Sequence, residues 1–367
     1  MRRPPARSQR VERFRVAEGA GTTSAYTAAG VDIAAGDRAV ALMKEHVARA
    51  GRPEVVSDSS GFAGLFRIDA AKKYRSPLLA TSTDGVGTKA TIAQRCDRHD
   101  TLGQDLVGMV VDDLVVCGAE PLFLTDYIAC GKVVPERIAA LVAGVAEGCR
   151  QAGCALVGGE TAEHPGTMRS DEYDLAGAGT GIVEEDEVLG PHRVREGDAV
   201  IAMASSGLHS NGYSLVRRVI DEAGLRLDAR VPELGAELGE ELLRPTRIYA
   251  ADCLALAEET EVHAFAHITG GGLAANLARS LPEGLDAVVD RSTWTPQAVF
   301  SFVAERGSVS QADMEAAFNM GVGMAAVVPA ASAQRALAVL DERGIPAWNA
   351  GSVVAGSGEA RLEGAYA

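Results

Sequence analysis

A short apolar run that ends in an acidic residue and two glycines constrains this chain more than any other feature. In Leu79-Ala80-Thr81-Ser82-Thr83-Asp84-Gly85-Val86-Gly87-Thr88-Lys89, a strand following Pro77 empties into Asp84 and a Gly-x-Gly loop, and a hydroxyl and a cation follow at once. Gly85 and Gly87 let the backbone bend sharply and approach a ligand closely. A carboxylate for a hard metal, bare amides for phosphate oxygens and a lysine are the parts that nucleotide chemistry uses. The spacing is not that of a Walker A loop, which sets four residues between its first glycine and its Gly-Lys pair. The design recurs in Cys154-Ala155-Leu156-Val157-Gly158-Gly159-Glu160-Thr161-Ala162-Glu163, again a strand, glycines and an acid. The 41 glycines favour an α/β protein with many tight strand–helix joints. The 367 residues suit about two domains at ~100–200 residues each.

The net charge of −15 argues against nucleic acid as a partner, because a polyanion needs basic patches. It does not argue against a nucleotide, since Mg²⁺ bridges carboxylates to phosphates. The six cysteines are scattered without a Cys-x-x-Cys pair, which suits reduced thiols and gives neither a zinc site nor a disulfide framework. The first 15 residues carry six arginines, but no apolar core follows them, so a secretory signal is not expected. No run approaches the ~18 apolar residues of a membrane span. A cytoplasmic location without membrane contact is the expectation.

Residues 1–23 read as a disordered basic extension, 24–189 as an N-terminal domain, and 190–367 as a C-terminal domain, with the acidic, turn-like stretch 184–197 at the boundary. A helix is expected over 34–50. Asp32 at its start suits the positive end of the helix dipole, or a metal; Lys44 within it is by default solvated. The small-residue loop 57–64 is a lid or a linker. A long helix over 99–118 is interrupted by Asp105, Asp112 and Asp113. Such carboxylates are costly to bury unless paired or metal-bound, so a solvated face and a metal site both stay open. Strands over 121–130 and 173–183 flank a helix over 135–152. In the second half, the strand 199–204 runs into a small-residue loop with His209, Ser210 and Asn211, at the start of a helix. A strand over 261–266 carries His263, to which no role is given. A second loop, His267-Ile268-Thr269-Gly270-Gly271-Gly272, enters a helix over 273–281. Free amides at helix starts bind anions, and two such loops point to a phosphorylated substrate.

Taken in order, these motifs resemble the aminoimidazole ribonucleotide synthetase (phosphoribosylformylglycinamidine cyclo-ligase) family. The resemblance runs from about Ser24 to about Leu362. It is carried by Gly30-Val31-Asp32-Ile33, the stretch from Thr83 to Lys89, Asp113-Leu114-Val115-Val116-Cys117-Gly118-Ala119-Glu120-Pro121-Leu122, and Val157 to Glu163. His209-Ser210-Asn211-Gly212-Tyr213-Ser214-Leu215-Val216-Arg217, Thr269 to Gly272, and Phe318-Asn319-Met320-Gly321-Val322-Gly323-Met324 complete it. It implies a two-domain α/β (α+β) fold whose N-terminal domain forms a β-barrel across a homodimer interface, with ATP held nearby. The implied reaction converts formylglycinamidine ribonucleotide and ATP into aminoimidazole ribonucleotide, ADP and phosphate. Carried over by position, Asp84, Asp113 and Glu160 look like Mg²⁺ ligands, with Asp32 and Asp112 as further candidates. Lys44, Gly85, Gly87, Thr88 and Lys89 look like nucleotide contacts. His209, Ser210 and Asn211 look like substrate contacts, with Asp84, Asp113, Lys89 and above all His209 in catalysis, and Thr269 to Gly272 would hold the ribose phosphate. Transient contact with neighbouring purine enzymes is a further implication. Family members often carry glycines where this chain has Ser59 and Ser60, and the extension 1–23 has no counterpart.

Other readings stay open. A selenophosphate synthetase should carry a reactive cysteine early in the chain, whereas the first here is Cys96. A thiamine-phosphate kinase should lack the motif from His209 to Arg217, and a formylglycinamidine synthetase is usually longer. A non-catalytic nucleotide-binding regulator is the alternative outside enzymes.

Overall fold

The computed structural model describes residues 31–56 and 63–367. The expected extension 1–23, and Ser59 and Ser60 of the expected lid, lie outside the described residues. The first helix, Ile33–Arg49, is capped by Asp32, whose Oδ1 accepts the Ala35 amide at 3.1 Å. The plain role expected of Asp32 is therefore the one it fills locally.

Four strands build the first sheet: β1 (Pro77–Gly85), β2 (Glu120–Cys130), β3 (Ala155–Glu163) and β4 (Tyr173–Glu184). Their order is β1-β4-β2-β3, with β1 and β2 antiparallel to β4 and β2 parallel to β3. Parallel neighbours need a crossover, and the helix Pro135–Ala152 supplies it. Pro135 opens that helix and Gly153, with φ 72°, closes it, following the usual asymmetry of helix ends.

The helix expected over 99–118 is shorter at both ends and spans Leu102–Val115; before it comes a helix that was not expected, Lys89–Cys96, which ends at Asp97 with a left-handed backbone. The helix Leu102–Val115 lies between the first sheet, the helix Pro135–Ala152 and a C-terminal helix, Ala250–Glu259. Every residue in it is buried except Gln104 and Asp113. Its approach to the helix Pro135–Ala152 is backbone to backbone, since a Cβ on Gly103 would meet the Val145 nitrogen at 2.0 Å.

The C-terminal half holds a six-stranded sheet in the order β12-β9-β11-β5-β10-β8. Its strands are β5 (Ala199–Ala204), β8 (Ala264–His267), β9 (Leu285–Asp290), β10 (Val322–Val328), β11 (Ala347–Ala355) and β12 (Ala360–Glu363). All pairs are antiparallel except β12 with β9. A short hairpin, β6 (Arg230–Val231) with β7 (Ala236–Glu237), stands apart. The strand expected over 261–266 starts later, and His263 precedes it with its Nδ1 2.6 Å from Asp198. Burial on both faces explains the continuous apolar runs of β5 and β10.

Candidate active site

The helix Leu102–Val115 faces the C-terminal half with three carboxylates, and each finds a partner there. Asp105 Oδ1 accepts the Thr246 amide at 2.7 Å and its hydroxyl at 2.6 Å. Asp112 accepts the Tyr249 amide at 2.9 Å. Asp113 Oδ1 lies 2.9 Å from Nδ1 of His267. Asp105 and Asp112 are fully buried, whereas Asp113 is open to solvent. The carboxylates are neither a solvated face nor a single metal cage; they join the two halves of the chain.

The expected motif loops converge around this seam. Thr88 Oγ1 lies 3.3 Å from Ser214 Oγ. Lys89 Nζ donates to the His209 carbonyl at 3.0 Å. Asn211 Oδ1 sits 3.5 Å from where a Cβ on Gly270 would stand. Asn276 Nδ2 donates to the carbonyls of Gly270 at 3.1 Å and Gly272 at 2.9 Å, which holds the second glycine loop in shape. A cleft of about 340 Å³ opens between the halves, lined by Ser82, Asp113, Cys117, His267, Asn276 and Arg279 among others.

Electrostatics concentrate at its inner end. Burial pulls the His267 imidazole down, but the hydrogen bond to Asp113 and the charges of Asp112, Asp113 and Asp84 outweigh it and hold the ring above its ordinary value. Crowding by protein, reinforced by Asp113, raises the Asp84 carboxyl. Burial pushes Asp112 up to about 7. His267 Nε2 is buried without a protein partner. The sequence places His267 at the head of the second anion-binding loop, but nothing in it points to the pairing with Asp113.

The five acidic residues expected as metal ligands fall in two places within one chain. Asp84 pairs with Gly177, Gly177 with Asp126, and Asp126 with Gly159, which puts Glu160 three strands away, roughly 14 Å at the usual strand spacing. Among the described residues no three His, Cys, Asp or Glu side chains are placed to hold one metal. Asp32 and Glu160 instead line a second pocket of about 460 Å³, walled by Val40, Met43, Val47 and Leu156. Asp126, which sequence reasoning missed, sits in that pocket with Oδ2 unpartnered, and burial pushes its carboxyl up to about 6. A lone carboxylate in an apolar strand was the signal. Lys44 is exposed on the helix beside this pocket.

Lys89, which was expected on nucleotide phosphate, faces inward instead. Its side chain is fully buried, and its ammonium is committed to Asp105 Oδ1 at 2.8 Å, the His209 carbonyl, and the Arg244 carbonyl at 2.7 Å. An ammonium has three protons and here three acceptors, so none is left for phosphate. His209 is also interior. Its backbone is left-handed at φ 62°, its Nε2 accepts the Ser206 amide at 3.1 Å, and its Nδ1 has no partner. Burial first, then the charges of His267, Lys89 and Arg247, hold the ring far below its ordinary value and therefore neutral.

Residues 63–183 match the AIR synthase related protein family, N-terminal domain, and residues 195–362 match its C-terminal domain. Over 335 residues the chain is 51% identical to the phosphoribosylformylglycinamidine cyclo-ligase of Geobacillus kaustophilus, covering 91% of this chain and 96% of that protein. The chain belongs to the phosphoribosylformylglycinamidine cyclo-ligase family. The cyclo-ligase fold extends to more distant proteins. Thiamine-monophosphate kinase from Stenotrophomonas maltophilia K279a superposes with a TM-score of 0.64 at 20% identity, over 89% of this chain and 97% of that one. Hydrogenase maturation protein HypE in complex with ATP gives 0.59 at 21% identity, over 88% and 90%. At these identities the likeness to the cyclo-ligase chain is one of fold.

Proposed function

We propose that this chain closes the imidazole ring of aminoimidazole ribonucleotide, using formylglycinamidine ribonucleotide and ATP and releasing ADP and phosphate. The observation that supports the reading is the pairing of Asp113 with His267 at a cleft between the halves, with Asp84 near enough to act on both electrostatically and the motif loops meeting along the same seam. The formyl amide oxygen is a poor leaving group. It takes the γ-phosphoryl group of ATP; the amidine nitrogen then bonds to the formyl carbon, the C–O bond breaks, and the oxygen departs in phosphate. Such chemistry asks the protein for positioning and for charge stabilisation.

The residues fit that task. Mg²⁺ binds through one or two carboxylates plus substrate phosphates, so Asp84 and Asp113 suffice without a full protein cage. Burial first, and the charge of Asp113 after it, raise the Asp84 carboxyl, and a divalent cation would favour its ionised form. When bound, the ion neutralises charge on the phosphates. His267 orients Asp113 through its Nδ1. Backbone at Gly85, Gly87 and Thr88, with the exposed Lys44, serves the nucleotide. The amides of Thr269 to Gly272 serve the ribose phosphate, and the loop of His209, Ser210 and Asn211 serves the reacting end of the substrate. His209, neutral with its proton on Nδ1, is a hydrogen-bond donor to developing oxygen charge rather than a base.

A homodimer belongs to the same reading. Leu79 is 70% exposed with Leu78 beside it on β1, and Tyr127 on β2 and Ile33 and Val40 on the first helix are exposed as well. β1 is an edge strand, and apolar groups on an open edge mark a partner surface. Two such sheets meeting edge to edge close a barrel, with the domain division near 189–190. No helix among the described residues is long and apolar enough to cross a membrane, and a cytoplasmic place accords with the pathway. The test is an assay with formylglycinamidine ribonucleotide and Mg-ATP that follows the imidazole and ADP together. Equal yields support the reading; ATP binding without turnover favours a regulator.

A further inference from the structure

One buried charge pair stands outside the chemistry just described. Lys89 and Asp105 are both fully buried, and they meet at 2.8 Å. Both come from the N-terminal half, yet most of their other hydrogen bonds go to the C-terminal half. Lys89 reaches the carbonyls of His209 and Arg244; Asp105 reaches the amide and hydroxyl of Thr246. Thr246 Oγ1 in turn lies 3.1 Å from Ser210 Oγ. The pair thus touches both residues of the His209–Ser210 step, one through its carbonyl and one through a hydroxyl relay.

That step needs holding. His209 is one of four non-glycine residues with a left-handed backbone among those described, a conformation disfavoured for a residue with a side chain. Strain of this kind persists only where the surroundings over-determine it. Lys89 Nζ also lies 5.5 Å from the centroid of Tyr213, which opens the helix after this loop, so the same ammonium fixes the loop's far end. A buried ion pair is weak evidence for stability, since apolar residues of similar volume often do as well. Specifying one arrangement is the role that such a pair is better suited to.

We infer that Lys89 and Asp105 are positioning residues for the ring-closure reaction: the pair locks the His209–Ser210 step of the C-terminal half onto the N-terminal half and touches no phosphate. The inference rests on the proposed function, because it takes His209 and Ser210 to face the reacting substrate.

The experiment compares steady-state kinetics of the wild type and four variants. Lys89→Met alone leaves Asp105 as an uncompensated buried charge and is prone to misfold. The charge-neutral double variant Lys89→Met with Asp105→Asn therefore carries the test, made both in wild-type and in His209→Ala backgrounds. Thr246→Val, which keeps the backbone amide, removes only the relay to Ser210 and does not depend on the double variant folding. A site displaced by about 1 Å loses rate on the order of 100-fold. The expected result is a fall in kcat of that order in the double variant, with the KM for ATP within about twofold. In the His209→Ala background the same change should cost less than about threefold. Thr246→Val should lower kcat by roughly tenfold, again without moving the KM for ATP. Equal losses in both backgrounds, a tenfold rise in the KM for ATP with kcat intact, or an unchanged Thr246→Val enzyme would each overturn the inference. If the wild type makes no imidazole product, the proposed function itself has failed, which is a separate outcome.

Discussion

Nδ1 of His267 and Oδ1 of Asp113 lie 2.9 Å apart across 154 residues of sequence, the ring side chain 3% exposed and the carboxylate 47%. One partner is anchored and the other reaches solvent, which is the arrangement of a ligand held from behind. Groups that orient a metal-binding carboxylate typically matter by 10–100-fold. His267→Ala should therefore lower turnover by about that factor and raise the Mg²⁺ concentration needed for half-maximal rate. Kinetics titrated with Mg²⁺ at fixed ATP would show it, and an unchanged Mg²⁺ dependence would remove His267 from this role.

Asp84 stands at the end of an exposed strand and is pushed toward protonation by its surroundings and by Asp113. Replacing it with asparagine relieves repulsion, so the fold should survive. Asp84→Asn is expected to lose at least about 100-fold in turnover, with circular dichroism and oligomeric state unchanged. Wild-type rates would place the cation elsewhere.

Asp126 gives a pH signature in stability rather than in rate. Its folded value of about 6 lies above the ordinary 3.8, so the folded protein favours the protonated form. The associated stability is complete below about pH 4 and is lost as pH rises through about 6. The loss amounts to up to about 3 kcal/mol at ~1.4 kcal/mol per unit. Asp126→Asn should escape it. Denaturant melts from pH 4 to pH 8 should show the variant gaining on the wild type up to about pH 6, then running parallel. A constant difference throughout would mean that Asp126 is ionised in the fold.

A Cβ at Gly323 would lie 2.1 Å from Tyr249 Oη and 2.6 Å from His209 Cε1. Gly323→Ala must displace one ring or the other. Turnover is expected to fall by more than about tenfold, while ATP binding measured by calorimetry stays intact. A simultaneous loss of ATP affinity would show that the displacement spreads beyond His209.

Leu79 is the most exposed large apolar residue of β1. Leu79→Asp would put a charge on the proposed barrel edge, and analytical ultracentrifugation should then report monomers at concentrations where the wild type is dimeric. A dimer of unchanged affinity would locate the interface on another surface.

Much of the architecture was readable from residue order. The strands 121–130 and 199–204 and the helix Pro135–Ala152 follow from apolar patterning and from proline and glycine at their ends. The short helix Lys89–Cys96 was not anticipated: its few apolar residues give a weak helical period, and which side of it faces inward depends on contacts with the second half. The late start of β8 likewise depends on His263 turning toward Asp198, 65 residues earlier.

The site was legible as a parts list but not as an assembly. Asp105, Asp112 and Asp113 stood out as carboxylates in an apolar helix, yet their partners Thr246, Tyr249 and His267 lie 137 to 154 residues away. Lys89 followed the expected motif and still faces inward, since direction along a helix depends on which side the second half packs. Residue types announced the chemistry; tertiary packing decided which side chains were free to do it.

Beneath the helix that carries these aspartates, β4 presents glycine at 177, 179 and 181. Added Cβ atoms there would meet Leu106 at 3.3 Å, Val110 at 2.9 Å and the Glu120 carbonyl at 3.0 Å. The strand acts as a shim of minimum thickness, setting how far the acidic helix stands above its floor and hence how far its carboxylates project across the seam. A single extra methyl in β4 would change the focal length of a site to which β4 contributes no side chain. For anyone re-engineering this enzyme, a tolerance of a few tenths of an ångström lies in the floor of the sheet, in residues that have no side chain at all.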